Sequence, residues 1–127
     1  MEHTKIKSFT DLVVWQEAHK LVLVIYNMTK SFPKEEIFGL INQMRRAAVS
    51  ITSNIAEGFS RQHYPEKIHF YSISQGSTTE LQSQLFIVRD VGYINEEVFN
   101  NIFEQSVSVN KLLSRLIAQS KQNNTIT

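Results

Sequence analysis

Only two prolines and four glycines punctuate the 127 residues, and Pro33, Gly58, Pro65 and Gly92 fall at the edges of long stretches whose apolar residues return every three or four positions. A chain interrupted so rarely has few places to turn, so it is built from a small number of long helices. The first stretch opens after Ser8-Phe9-Thr10-Asp11, where Asp11 suits the first-turn amides, and runs through Leu12, Trp15, Ala18, Val22, Ile25 and Thr29. Pro33 followed by Glu35 and Glu36 predicts a second start. Its stripe is Ile37, Leu40, Ile41, Met44, Ala47, Ala48, Ile51 and Ile55, and Gly58 is placed to end it. Residues 59–64 read as a connection.

Pro65-Glu66 opens a third helix through Ile68, Tyr71, Thr78, Leu81, Leu85 and Val88 to Gly92. Gly76, within Gln75-Gly76-Ser77, predicts a kink or the close approach of another helix. Asn95 before Glu96 and Glu97 starts a fourth helix, with Ile94 and Phe99 spaced as a hydrophobic staple and Val98, Ile102, Val109, Leu112, Leu113 and Leu116 as its stripe. The expected helices are about 10–30, 34–57, 65–91 and 95–120, with tails at 1–8 and 121–127 and the last of these frayed. Four helices of similar length with short links predict a single all-α domain, an antiparallel up-down-up-down four-helix bundle.

The longest apolar run, LVLVIY at 21–26, is far short of the roughly 20 residues of a membrane span. The opening MEHTKIKSF has no apolar secretory segment and there are no cysteines for extracellular disulfides, so a cytoplasmic location is expected. The net charge of +1 provides no bulk attraction for a polyanion. Any nucleic-acid binding must come from a local patch or from repeated subunits.

Glu66-Lys67-Ile68-His69 places a carboxylate and an imidazole on one helix face, as di-iron bundles require. Such sites need a second Glu-x-x-His, and His3, His19 and His63 have no glutamate three residues earlier, so neither metal nor cofactor is expected. Ser31-x-x-Lys34 and Ser108-x-x-Lys111 lack the companion elements of Ser-Lys acyl-transfer enzymes. There is no phosphate-binding glycine loop, no His-Glu-x-x-His and no cysteine nucleophile. A non-enzymatic role is expected.

The stretch RRAAVSITSNIAEGFSR, 45–61, remains. On a helix, Asn42, Arg46, Ser50, Ser53 or Asn54, and Glu57 share a face beside the apolar stripe, and Ala47, Ala48, Ser50 and Ser53 allow another helix to come close. The third helix offers a matching small polar patch in Gln75, Ser77, Thr78 and Glu80. Ser50, Asn54, Glu57, Gly58, Gly76, Ser77 and Glu80 are therefore candidates for a helix junction or a subunit interface. Arg45, Arg46 and Arg61, with Lys34, Lys67 and His63, are either a phosphate-binding patch or partners of Glu57, Glu80 and helix-end carbonyls. Trp15, Phe32, Phe38 and Phe59 suit core or interface anchors better than base-stacking platforms.

DLVVWQEAHKLVLVIY, FPKEEIFGLINQMRRAAVSITSNIAEGFSR, QGSTTELQSQL and VGYI, in this order between Phe9 and Phe103, resemble the family of small four-helix-bundle proteins encoded by intervening sequences in bacterial 23S ribosomal RNA genes. Members often carry a ribosomal-protein label. The resemblance implies an antiparallel bundle that assembles as a homopentamer. The accessory protein of diversity-generating retroelements, a basic pentameric bundle that binds nucleic acid and a reverse transcriptase, is also similar.

The family signature falls on Arg45, Arg46, Ala47, Ser50, Ile51, Asn54, Ile55, Ala56, Glu57 and Gly58, and on Gly76, Ser77, Glu80 and Leu81. Thr52 stands where many relatives have proline, which implies a less kinked second helix, and FSRQHYPEK is less basic than the matching segment of many relatives. The expected function is that of an oligomer associated with RNA or with a nucleic-acid-processing protein. The alternative is a protein-interaction scaffold that does not touch nucleic acid.

Overall fold

A computed structural model describes residues 5–126. It contains α1 (Val13–Thr29), α2 (Leu40–Ser60), α3 (Tyr64–Asp90) and α4 (Glu96–Ile126), with short 3-10 turns at Phe9–Asp11 and Lys34–Glu36 and no strand among the described residues. Each helix packs on its neighbours in the cycle α1, α2, α3, α4, and backbones do not approach across the diagonals.

Cross-helix pairs fix the directions. Ser50 meets Ser77, Ser74 meets Ile51 and Gly58 faces Tyr71, so numbers rise along α2 as they fall along α3. Gln75 reaches Ser114, Gln82 reaches Ser106 and Arg89 approaches Glu96, which gives the same antiparallel relation between α3 and α4. The result is a four-helix bundle.

The core follows the sequence period. Ala18, Leu21, Ile25, Met44, Ala48, Ile51, Ile55, Leu81, Leu85, Val88 and Leu113 are all fully buried. Four polar residues share this burial: Thr29, Ser74, Thr78 and Ser106 are at most 1% exposed. Each satisfies its hydroxyl on a nearby carbonyl oxygen, for instance Thr29 Oγ1 donating to Ile25 O at 2.8 Å.

The helix ends differ from the expected ones. Ser8 and Asp11 form a capping box, but around a separate 3-10 turn, and α1 starts only at Val13. The second helix starts at Leu40 rather than 34. Pro33 opens the 3-10 turn, and Gly39, at φ −113° and ψ −114°, lies outside helical geometry. Ile37 is consequently exposed instead of joining the apolar stripe.

Gly58 does not terminate α2, which continues to Ser60, and the connection shrinks to Arg61–His63. Thr52 leaves α2 unbroken, its hydroxyl donating to Val49 O at 2.9 Å. Nor does Gly76 interrupt α3, and a Cβ built there would meet nothing within 4 Å, so no helix of this chain approaches it. Asn95 caps α4 as expected, its Oδ1 accepting from Val98 N–H at 2.8 Å. The tail expected to fray from 121 is helical to Ile126, with Ser120 buried beneath it. His3 and the first half of the N-terminal tail lie outside the described residues, as does Thr127.

Candidate functional site

Small residues let α2 and α3 close on each other, and the polar atoms so enclosed serve one another. Ser50 Oγ and Ser77 Oγ lie 2.8 Å apart. Asn54 Nδ2 donates to Ser50 O at 2.8 Å and to Ser50 Oγ at 3.0 Å, and Ser74 Oγ donates across the seam to Ile51 O at 2.9 Å. Of the two polar patches, Ser50 with Asn54 on α2 and Ser77 on α3 therefore meet inside the chain. Ser74 belongs to this set and was missed, because one serine at helical spacing carries no signal of which carbonyl it will meet.

Glu57 and Glu80 sit at the outer edge of the seam. Glu57 pairs with Arg61 at 3.2 Å, and Glu80 accepts from Gln84 Nε2 at 3.1 Å. Gln75 turns the other way, to Asn110 and Ser114 of α4.

The candidate cations divide into two groups at opposite ends of α2. Arg61 and Lys67 lie at the α2–α3 turn, about 24 Å along the helix from Arg45 at 1.5 Å per residue. Lys67 Nζ donates to Phe59 O at 2.8 Å, neutralising the negative end of α2, and burial lowers its pKa from the usual 10.5. Arg61 stacks on Phe70, its guanidinium carbon 4.7 Å from the ring centre, as well as pairing with Glu57. His63 is exposed beside them.

At the other end, Arg45 does for α1 what Lys67 does for α2. Its Nε donates to Thr29 Oγ1 at 2.9 Å and an Nη to Tyr26 O at 3.3 Å, and its guanidinium lies 4.6 Å over the Tyr26 ring. Arg46, one position on, points away. It is exposed and makes no hydrogen bond or ion pair within the described residues.

Lys34 is likewise exposed and unpaired among the described residues, and so is Lys30, which belongs to no sequence motif that would single it out. Three shallow hollows, of about 460, 580 and 290 Å³, run in sequence past these groups: Lys30 and Lys34 line the first with Arg45, both arginines line the second, and Arg46 with Gln43 and Ser50 lines the third.

His69 has a ring contact only with Phe70, and among the described residues no group of three or more His, Asp or Glu could hold a metal ion. No helix among the described residues is long and apolar enough to cross a membrane.

A family model described as 23S rRNA-intervening sequence protein matches residues 10–115. Among solved structures, that of a protein of unknown function from the S23 ribosomal protein family of Bacteroides thetaiotaomicron VPI-5482 is similar. It is 26% identical, with a TM-score of 0.77, over 83% of this chain and 98% of that one. No protein of curated function matches.

Proposed function

The chain belongs to the 23S rRNA-intervening sequence protein family, and from that premise we propose that it is a cytoplasmic, non-enzymatic homopentamer that binds RNA on the α2 ridge around Arg46. The observation that carries this reading is the unequal state of the cations. Arg45, Arg61 and Lys67 are engaged by other groups of the chain, whereas Arg46, Lys34 and Lys30 stand exposed without partners among the described residues along one line of hollows. Gln43 beside Arg46 adds a neutral hydrogen-bonding group suited to phosphate or ribose oxygens, while Glu80 on the far wall of the same hollow confines an anion to the Arg46 side.

A chain of net charge +1 is a weak ligand for a polyanion. Five copies of the ridge on one assembly would multiply few contacts into useful avidity. The seam polar groups are occupied with each other, which supports binding rather than catalysis.

Binding of a single-stranded RNA oligonucleotide, followed by anisotropy from about 50 to 200 mM salt, tests the reading. Each lost phosphate contact should reduce the log–log slope by about 0.7. Lys34→Ala with Arg46→Ala should weaken binding at least about tenfold and flatten that slope, while Arg61→Ala leaves it unchanged. No binding at about 50 mM salt, or an unchanged slope in the double variant, would leave the protein-only scaffold as the better reading.

A further inference from the structure

Phe38 is 93% exposed, the most exposed of the large apolar side chains, and it stands in the connection leading into α2 beside Ile37, itself 48% exposed. Bare aromatic rings of this kind mark contact surfaces. The same end of the bundle carries a groove of about 480 Å³ between the end of α1 and the start of α4. Its apolar walls are Val24, Met28, Tyr93, Ile94, Val98 and Ile102, and Asn27 and Asn101 lie on its rim.

None of the residues lining this groove is charged, whereas each of the three hollows that run past Lys30, Lys34, Arg45 and Arg46 has at least one charged side chain in its wall. An aromatic ring can therefore enter it without desolvating an ion, and it meets Tyr93 and Met28, groups that pack well on aromatic faces and edges.

We infer that Phe38 of one copy seats in the α1–α4 groove of a second copy. The inference rests on the homo-oligomer reading above and says where its contact lies. Plug and groove occur once each per chain and occupy different flanks of the bundle, so the contact is heterologous and leaves each copy with one plug and one groove to continue from. Both lie at the same end. With the bundle axes of the two copies parallel, repeating the contact produces no travel along the axis, the arrangement that closes a ring rather than extending a fibre. Tyr93 Oη donates to Glu36 Oε2 at 2.9 Å, tying the groove wall to the turn that carries Phe38 and holding the two halves of the contact in one fixed relation.

The test is native mass by light scattering at micromolar concentration for the wild type, Phe38→Ala, Asn101→Arg and a 1:1 mixture of the two variants, with helicity checked by circular dichroism. Both positions are exposed, so both variants should fold. The wild type should assemble, and each variant alone should fall to monomer mass. The mixture should form a dimer, because one intact plug and one intact groove remain in it. An assembled wild type whose mass survives either substitution, or a mixture that stays monomeric, overturns the seat alone. A monomeric wild type overturns the homo-oligomer reading along with it.

Discussion

A methyl group added at Gly58 would lie 2.6 Å from Tyr71 Cε1 and 3.2 Å from the Lys67 carbonyl oxygen. Tyr71 is 2% exposed and the carbonyl is backbone, so neither can yield cheaply. Gly58→Ala should therefore destabilise by about 1 to 2 kcal/mol, because overpacking outweighs the gain of up to about 1 kcal/mol in helix propensity. At Gly76 an added methyl meets open space, and Gly76→Ala should stabilise by about 0.5 to 1 kcal/mol. Urea denaturation of the two variants should show shifts of opposite sign. In sequence Gly58 reads as a helix end and Gly76 as the place where another helix comes close, the reverse of what their surroundings show. What separates them is the ring of a residue on another helix, which no local spacing reports.

At the scale of the element, Arg45 and Arg46 are adjacent in sequence but point about 100° apart around α2, and this rotation decides their work. Arg45 anchors the last turn of α1 through charge-assisted hydrogen bonds, so Arg45→Met should cost about 1 to 2 kcal/mol and lower the melting temperature. Arg46→Ala should stay within about 0.5 kcal/mol of the wild type. Thermal melts of the two, beside their RNA affinities, separate fold from function.

The existence, order and apolar faces of the helices were legible because 3.6-residue periodicity encodes them directly. The start of α2 was not. Ile37 fits the stripe, and only the backbone angles of Gly39 show that the helix has not yet begun. Glu36 completes that start from outside the helix, one carboxylate oxygen facing Leu40 N–H and the other accepting from Tyr93, a partner 57 residues away.

For the whole molecule, alkaline pH offers a global readout. Burial, with a smaller contribution from Tyr64, pushes the Tyr71 phenol from 10.0 up to about 12. Between these values the unfolded chain has lost a proton that the folded one keeps, so stability falls as pH rises, by at most about 1.4 kcal/mol per pH unit. Lys67 acts in the opposite sense. Its folded pKa is lowered by burial, so below 10.5 the unfolded chain holds the extra proton, and stability gains as pH climbs towards that value. Tyr93, raised chiefly by its hydrogen bond to Glu36, adds to the alkaline loss, so denaturation midpoints should hold up to about pH 10.5 and then drop, and Tyr71→Phe should make the drop shallower.

The candidate site was only half legible at this scale. Charge alone grouped Lys34 and Lys67 as neighbours, but the fold sends them to opposite ends, since a residue's height in a bundle depends on which helix carries it.

The serine contacts between α2 and α3 also govern how that pair can move. Sliding one helix by a turn would keep apolar residues against apolar residues, yet it would part the Ser50 and Ser77 hydroxyls and take the Ser74 hydroxyl away from Ile51 O. The hairpin is thus indexed like a toothed rack, with one setting deep in energy and its neighbours shallow. Amide protons facing this seam should be the last to exchange with solvent, and any flexing of the bundle should be taken up by α1 and α4 around it.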